Sequence, residues 1–205
     1  MDKFLVVSAG MPRSGSTLLF NILREILSTI PEKILASGFG DDVLKTPADI
    51  YLVKTHDITP LEAQKASRIF FSYRDVRTVA VSTKRMFDIP ITFECVQENI
   101  HRYLNAREQM AHFIEYEKLI SNPVSAIGKI SFNLGIHVDE KEIAARVMAI
   151  TPVQNLLPYD PITLLYPNHF TNSSISDWVK MAPHDVQQRV NTEFSWWFEM
   201  CGYSL

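Results

Sequence analysis

The sequence predicts an α/β fold of the P-loop type, in which a mostly parallel sheet carries helices on both faces and one domain spans residues 1–205. Two observations support this prediction. Short apolar runs alternate with segments of helical periodicity, and the first apolar run leads directly into a loop with the spacing G-x-x-x-x-G. Hydrophobic residues make up 46% of the chain and charged residues 21%, which is enough apolar material for a buried core.

The first strand is predicted over residues 4–9, a continuous apolar run typical of a parallel strand that is buried on both faces. Residues 16–29 then show helical periodicity, and Pro31 ends that helix. Further strands are predicted over residues 50–53, 68–73 and 113–116, and further helices over residues 76–86, 93–112, 124–134, 140–149 and 183–200. Residues 151–172 contain four prolines and little periodicity, which indicates a long loop of the kind that often serves function.

Charge and cysteine content exclude several classes of protein. The net charge of −3 argues against general nucleic-acid binding, which normally needs a basic excess. Cys95 and Cys201 lack the spacing of a disulfide framework or a zinc site. No apolar run approaches the ~18 residues of a membrane span, and the first one is too short for a signal peptide. We therefore expect a cytoplasmic protein that uses no metal.

The loop of residues 10–17 has the features of an anion cradle. Gly10 and Gly15 let the backbone turn so that successive N–H groups face one point, and the following helix adds its N-terminal dipole. Hydroxyl donors come from Ser14, Ser16 and Thr17.

The cation of this loop is in an unusual place. P-loops that hydrolyse ATP or GTP have a lysine where this chain has Ser16, and the cation here is Arg13, three residues earlier. This difference argues against ATP hydrolysis. A P-loop nucleotide kinase or NTPase remains an alternative, because Arg13 could partly replace the lysine.

Five segments in order resemble the sulfotransferases that use 3′-phosphoadenosine 5′-phosphosulfate (PAPS). Residues 12–17 (PRSGST) are similar to the family's 5′-phosphosulfate loop, and residues 74–82 (RDVRTVAVS) are similar to its 3′-phosphate signature. The other three are the strand-end Lys-Thr-His at residues 54–56, Tyr-Glu-Lys-Leu at residues 116–119 followed by Asn-Pro, and Asp-Trp at residues 177–178. The resemblance implies PAPS as donor, 3′-phosphoadenosine 5′-phosphate (PAP) as product, and a small-molecule acceptor.

The resemblance also implies roles for individual residues. The cofactor-binding set comprises Arg13, Ser14, Gly15, Ser16, Thr17, Arg74, Ser82, Tyr116, Thr171, Asn172 and Ser173. Arg74 and Ser82, eight positions apart, would hold the 3′-phosphate together, with the serine two helical turns beyond the strand end. Tyr116 would line the adenine site or else pack on the sheet.

The resemblance assigns catalysis to Arg13, Lys54 and His56. Arg13 and Lys54 would stabilise developing negative charge, and His56 would act as general base on the acceptor hydroxyl. Asp57 and Glu94 are alternative bases, because some members of the family use a carboxylate.

Two departures from the family pattern concern the cofactor. Thr171, Asn172 and Ser173 stand where the family often has Arg-Lys-Gly, so this loop can offer hydrogen bonds but no charge. Leu18 stands where many cytosolic members have a tryptophan that stacks on adenine. These differences keep a second alternative open, a catalytically inactive PAP-binding protein. The segments of residues 33–45, 87–94 and 152–167 are expected to shape the acceptor site, and their apolar content predicts a partly hydrophobic acceptor.

Two further groups are expected to be structural. Arg77 is predicted to be a solvated helix residue. The aromatic residues at positions 194–198 are predicted to pack in the core along the closing helix.

Overall fold

The computed structural model of the chain describes residues 4–152, 159–167 and 172–205. Its strands are β1 (Phe4–Gly10), β2 (Leu35–Phe39), β3 (Ile50–Lys54), β4 (Arg68–Tyr73) and β5 (His112–Glu115). Its α-helices are α1 (Ser16–Leu27), α2 (Pro60–Lys65), α3 (Val76–Phe87), α4 (Phe93–Glu108), α5 (Tyr116–Ser121), α6 (Pro123–Leu134), α7 (Glu140–Met148), α8 (Ile175–Met181), α9 (His184–Glu193) and α10 (Ser195–Cys201). A 3₁₀ helix covers Asp41–Lys45. Within the described residues, the five strands form one all-parallel sheet in the order β2-β3-β1-β4-β5, which confirms the predicted fold class.

Helices cover both faces of this sheet, and alternate side chains of each central strand enter two separate cores. In β1, Leu5, Val7 and Ala9 face a core that is completed by α3, α4, α9 and α10. Val6 faces the other core, which is completed by α1, α6 and α7. Burial on both faces explains why residues 4–9 are apolar apart from Ser8, which is itself fully buried.

The carboxyl ends of β1, β3 and β4 meet at one edge of the sheet. Gly10 of β1 is in register with Ser72 of β4, and Ser8 of β1 is in register with Lys54 of β3. The chain leaves β1 towards β2 on one side of the sheet and leaves β4 towards β5 on the other, so the segments that follow these two neighbouring strands diverge around a crevice. Ligands of open parallel sheets bind in crevices of this kind.

The sequence prediction missed five elements: β2, the short helices α2, α5 and α8, and the 3₁₀ helix. Tyr116, predicted to end a strand, is the first residue of α5. β2 contains Ala36, Ser37 and Gly38, which have little intrinsic strand preference, and it becomes a strand through pairing with β3. The short helices α2 and α8 begin with capping boxes at Thr59 and Ser174, a local signal that could have revealed them.

Two predicted helix boundaries were wrong. The helix that was predicted to reach His112 ends at Glu108, because the backbone turns through a left-handed conformation at Met110 (φ 53°) before β5 begins. The closing helix predicted over residues 183–200 is divided into α9 and α10. Phe194 interrupts it in a non-helical conformation while its ring packs in the core.

Among the described residues, no helix is long and apolar enough to cross a membrane. Cys95 and Cys201 are free thiols.

Candidate active site

The turn after β1 has room for glycine alone at two points. A Cβ atom on Gly10 would lie 2.1 Å from the hydroxyl oxygen of Ser72 on the neighbouring strand. Gly15 has φ 76°, and a Cβ atom there would lie 2.5 Å from the ring of Tyr116. The loop is therefore held tightly between β4 and α5, and its glycines are needed for packing as well as for backbone conformation.

Ser14 anchors this loop and does not face the crevice. Its hydroxyl oxygen is fully buried and lies 2.7 Å from the carbonyl of Met11, 2.9 Å from the carbonyl of Ser72 and 2.9 Å from the Ser72 hydroxyl. Its N–H donates to the carbonyl of Met11 at 3.1 Å. The structure thus engages the donors of Ser14 within the protein, and the expectation that its hydroxyl is offered to a phosphate is not supported.

The N-terminus of α1 opens into the crevice. Ser16 and Thr17 form its first turn, whose N–H groups have no partner within the helix, and this turn contains no acidic residue. Together with Gly15, both residues line the crevice. Free N–H groups and the helix dipole make this point favourable for an anion.

The crevice is a pocket of about 430 Å³. Its lining contains the cations Arg13, Lys54 and Arg74, and no aspartate or glutamate among the described residues. Predicted site residues on its wall are Arg13, Gly15, Ser16, Thr17, Lys54, His56, Arg74, Ser82, Tyr116 and Asn172. Three cations without a carboxylate in the wall favour a polyanionic ligand.

Arg13 connects the loop to α3. Its backbone is left-handed (φ 66°), and its Nε atom donates to the hydroxyl of Ser82 at 3.0 Å. Burial, and then the nearby Arg74 guanidinium, lower the pKa of Arg13. The sequence prediction gave Arg13 and Ser82 to two different phosphates, and the structure brings these residues into direct contact.

Lys54 and His56 reach the pocket from the end of β3. The Lys54 ammonium has no carboxylate partner within the described residues and lies 5.5 Å from the ring centre of Phe39. Burial, followed by repulsion from Arg13, lowers the pKa of Lys54 to about 8. Lys54 is therefore still mainly charged near neutral pH.

His56 is held as the neutral tautomer with Nε2 unprotonated. Its Nδ1 atom lies 2.8 Å from the carbonyl oxygen of Gly10, and because a carbonyl only accepts, Nδ1–H is the donor. Burial, and then the positive charge of Lys54, lower the pKa of His56 to about 4. The lone pair on Nε2 is thus available across the neutral range.

Arg74 lies at the end of β4 and is 8% exposed. Its guanidinium stacks on the Tyr116 ring with 4.4 Å to the ring centre, and its Nη2 donates to the carbonyl and hydroxyl of Ser173 at 3.2 and 2.9 Å. Its Nε is buried with no hydrogen-bond partner within the described part of the chain. Tyr116, the first residue of α5, therefore serves as the platform for Arg74 while it lines the pocket.

The remaining predicted residues divide into three groups. Thr171 lies outside the described residues. Ser173 is absent from the described pocket wall and reaches the site through Arg74. The alternative bases are not brought to the pocket wall: Asp57 pairs with Arg102 at 2.8 Å and Glu94 lies at the surface.

The expectation that Arg77 is solvated was wrong. Arg77 is 4% exposed, pairs with Asp75 at 2.6 Å, donates to the carbonyl of Ser204 and stacks 4.3 Å from the ring centre of Phe198. Its ion pair gives Asp75 a partner other than Arg74, which leaves Arg74 directed at the pocket. The core packing predicted for the aromatic residues holds for Trp197 but not for Trp196, which is 42% exposed.

Much of the apolar wall of the pocket comes from the three segments that were expected to shape the acceptor site, residues 33–45, 87–94 and 152–167. Phe39 belongs to β2 and Phe87 ends α3, while Tyr159, Leu164 and Tyr166 come from the loop between α7 and α8. The sequence pointed to these segments but not to the individual side chains, which the fold brings to the pocket.

No protein-family model and no curated protein matches the sequence. Solved structures do match. Mouse sulfotransferase SULT7A1 in complex with PAP has a TM-score of 0.67 and 20% identity over 95% of this chain and 82% of that one. Retinol dehydratase in complex with androsterone and inactive cofactor PAP gives 0.63 and 12% over 92% and 78%, and its complex with retinol and PAP gives 0.62 and 12% over 94% and 80%. This chain has the fold of the PAPS-dependent sulfotransferases.

Proposed function

We propose that this chain is a sulfotransferase that moves a sulfuryl group from PAPS to a hydroxyl or amine of a small-molecule, lipid or sugar acceptor. The observation that carries the proposal is the pocket wall, in which Arg13, Lys54 and Arg74 come together without a carboxylate among the described residues. The solved structures of similar fold are complexes with PAP, and two of them also hold androsterone or retinol. These complexes support a nucleotide donor and a small-molecule acceptor.

The pocket suits a nucleotide with two separate phosphates. Arg13 and the first turn of α1 form one anion-binding point, where a 5′-phosphate would bind. Arg74 and Ser82 form the other, where a 3′-phosphate would bind. The buried Nε of Arg74 has no partner in the described residues, and a phosphate oxygen would supply the missing acceptor.

The chemistry required of the protein is mainly charge stabilisation and positioning. Bound PAPS would supply a sulfuryl group with a nucleotide phosphate as its leaving group. Arg13 and Lys54 would bind the oxygens on which negative charge accumulates, and Lys54 can do so because a largely buried ammonium interacts strongly with an anion. The fixed loop holds Arg13 in place, and the end of β3 holds Lys54 in place, before the reaction begins.

His56 would take the proton from the acceptor. Its Nδ1–H bond to Gly10 fixes the ring, and its neutral Nε2 would accept the proton as the acceptor oxygen or nitrogen attacks. Replacing His56 with alanine should lower turnover by about 10²-fold or more while PAP affinity changes little. Near-normal turnover of this variant would remove His56 from the mechanism.

A thermal-shift comparison of PAP, AMP, ADP and ATP, each with and without Mg²⁺, tests the donor. We expect PAP to raise the melting temperature most, independently of Mg²⁺, because it alone carries phosphates at both the 3′ and 5′ positions. Stabilisation by Mg²⁺–ATP with no response to PAP would favour the kinase alternative and refute the proposal.

The transfer itself needs a separate measurement. Incubation with PAPS and a panel of phenolic, steroid, sugar and amine acceptors should yield PAP, detected by chromatography, together with a sulfated product. The same panel with Lys54→Met provides the control for uncatalysed breakdown of PAPS. Tight PAP binding without transfer to any acceptor would indicate a PAP-binding protein instead.

A further inference from the structure

The segment of residues 172–177 crosses the 3′-phosphate end of the pocket without a basic residue of its own. It contains no lysine or arginine, yet two arginines from other elements bind it. Arg74 binds Ser173 from the end of β4. Arg85 binds both ends of the segment from α3.

Arg85 makes two contacts that together span the segment. Its Nη1 atom donates to the carbonyl of Asn172, and its Nη2 atom pairs with the Asp177 carboxylate at 2.8 Å. Asp177 also accepts from the N–H and the hydroxyl of Ser174, which caps α8. Arg85 therefore ties the start of the segment to the start of α8, and it ties both to α3.

The position of Arg85 on α3 relates it to the pocket. It follows Ser82 by three residues, so the two side chains lie on the same side of the helix, one turn apart. Ser82 lines the pocket, as does Asn172, the residue whose carbonyl Arg85 holds. The same face of α3 thus supplies a pocket residue, Ser82, and the side chain that holds another, Asn172.

We propose that Arg85 is a positioning residue for the 3′-phosphate. It holds residues 172–177 so that Asn172 and Ser173 stay beside Arg74 and Ser82, and it thereby sets the preference for PAP over AMP. This inference rests on the proposed function. It accounts for how a segment without a positive charge of its own can close a phosphate site: cations on neighbouring elements fix its backbone.

Lys84 provides a matched control. It is the neighbouring residue on α3, carries the same charge and forms an ion pair with Asp88 at 2.5 Å, away from the segment. Arg85→Ala and Lys84→Ala each remove one positive charge from the same helix. By calorimetry, we expect Arg85→Ala to weaken PAP binding about tenfold, the effect of losing one charge-assisted contact, and to leave AMP binding nearly unchanged. Lys84→Ala should leave both affinities near those of the wild type.

Asp177→Asn separates positioning from simple charge. The asparagine oxygen can still accept from the N–H of Ser174 in the capping box, but the variant loses the ion pair with Arg85 and a negative charge near the phosphate. Positioning predicts weaker PAP binding, whereas an effect of charge alone predicts tighter binding. Hydrogen exchange supplies a readout without nucleotide: amides of residues 172–181 should exchange faster in Arg85→Ala and in Asp177→Asn than in the wild type.

Each outcome decides the matter. An unchanged ratio of PAP to AMP affinity in Arg85→Ala, or an equal loss in Lys84→Ala, would overturn the role of Arg85 while the proposed function stands. Tighter PAP binding by Asp177→Asn would show that only the charge near the phosphate matters, and it would also refute the positioning role of Arg85. If the wild type does not distinguish PAP from AMP, the proposed cofactor site fails and this inference fails with it.

Discussion

The neutral state of His56 has a consequence for stability that can be measured without a substrate. Burial and the positive charge of Lys54 lower the pKa of His56 to about 4 in the folded chain, against about 6.5 in the unfolded chain. Between these two values the unfolded state binds more protons than the folded state. The free energy of unfolding should therefore fall as the pH is lowered from about 6.5 to about 4.

The size of this effect follows from the two pKa values. Their difference corresponds to about 3 kcal/mol at most, since one pH unit of pKa difference is worth about 1.4 kcal/mol. The variant His56→Asn cannot take up the proton, and its amide nitrogen can replace Nδ1 in the bond to Gly10. We expect its free energy of unfolding to depend less steeply on pH in this window.

Urea unfolding of the wild type and of His56→Asn at several pH values between about 7 and about 4.5 measures the difference directly. His101→Asn on the exposed surface of α4 controls for the loss of any histidine. Parallel pH profiles for the wild type and His56→Asn would refute the reasoning, because they would mean that His56 is protonated as readily in the folded chain as in the unfolded one. A histidine that is already protonated at mildly acid pH could not take the proton from the acceptor hydroxyl there.

Three further predictions concern the loop and Lys54. PAP affinity, measured by calorimetry, should fall as the pH rises through about 8, where Lys54 loses its charge, and Lys54→Met should bind PAP more weakly with a flatter pH dependence. Gly15→Ala should lower the free energy of unfolding by about 1–2 kcal/mol or more in urea, because the left-handed backbone is strained and the new Cβ atom meets the Tyr116 ring; an unchanged value would contradict the tight packing of the loop. Ser14→Ala should cost about 1 kcal/mol of stability but keep the preference for PAP over AMP, and loss of that preference would show that Ser14 contacts the ligand.

The elements that the sequence revealed are those whose signal is local. β1, the glycine loop and α1 were predictable because a doubly buried strand is continuously apolar and a buried helix shows a clear period. β2 was not predictable, because residues such as Ser37 and Gly38 become a strand only through pairing with β3. The segment around Phe39 was expected at the acceptor site, but the position of its side chain on the pocket wall depends on β2.

Within the candidate site, the sequence indicated which residue types would meet but not how they would be divided between binding and support. Arg74 and Arg77 are three positions apart in one motif, and Asp75 lies between them. Folding pairs Asp75 with Arg77 inside the protein, where the guanidinium of Arg77 also contacts the Phe198 ring and the carbonyl of Ser204. The pairing of Asp75 with Arg77 is supported by Phe198 and Ser204, which lie more than a hundred positions further along the chain. No local sequence pattern could therefore have revealed this pairing.

The contact between Arg13 and Ser82 changes how the two phosphate sites relate to each other. From the sequence they are separate motifs, one after β1 and one along α3. In the structure, Arg13 reaches across to Ser82 at 3.0 Å, and its pKa is lowered in part by the nearby Arg74. A ligand with one phosphate would leave at least part of this repulsion uncompensated, whereas one with two phosphates could neutralise both arginines. Under the proposed function, the pocket should therefore bind PAP or PAPS more tightly than AMP, with a selectivity that depends on the closeness of the cations as much as on any single contact.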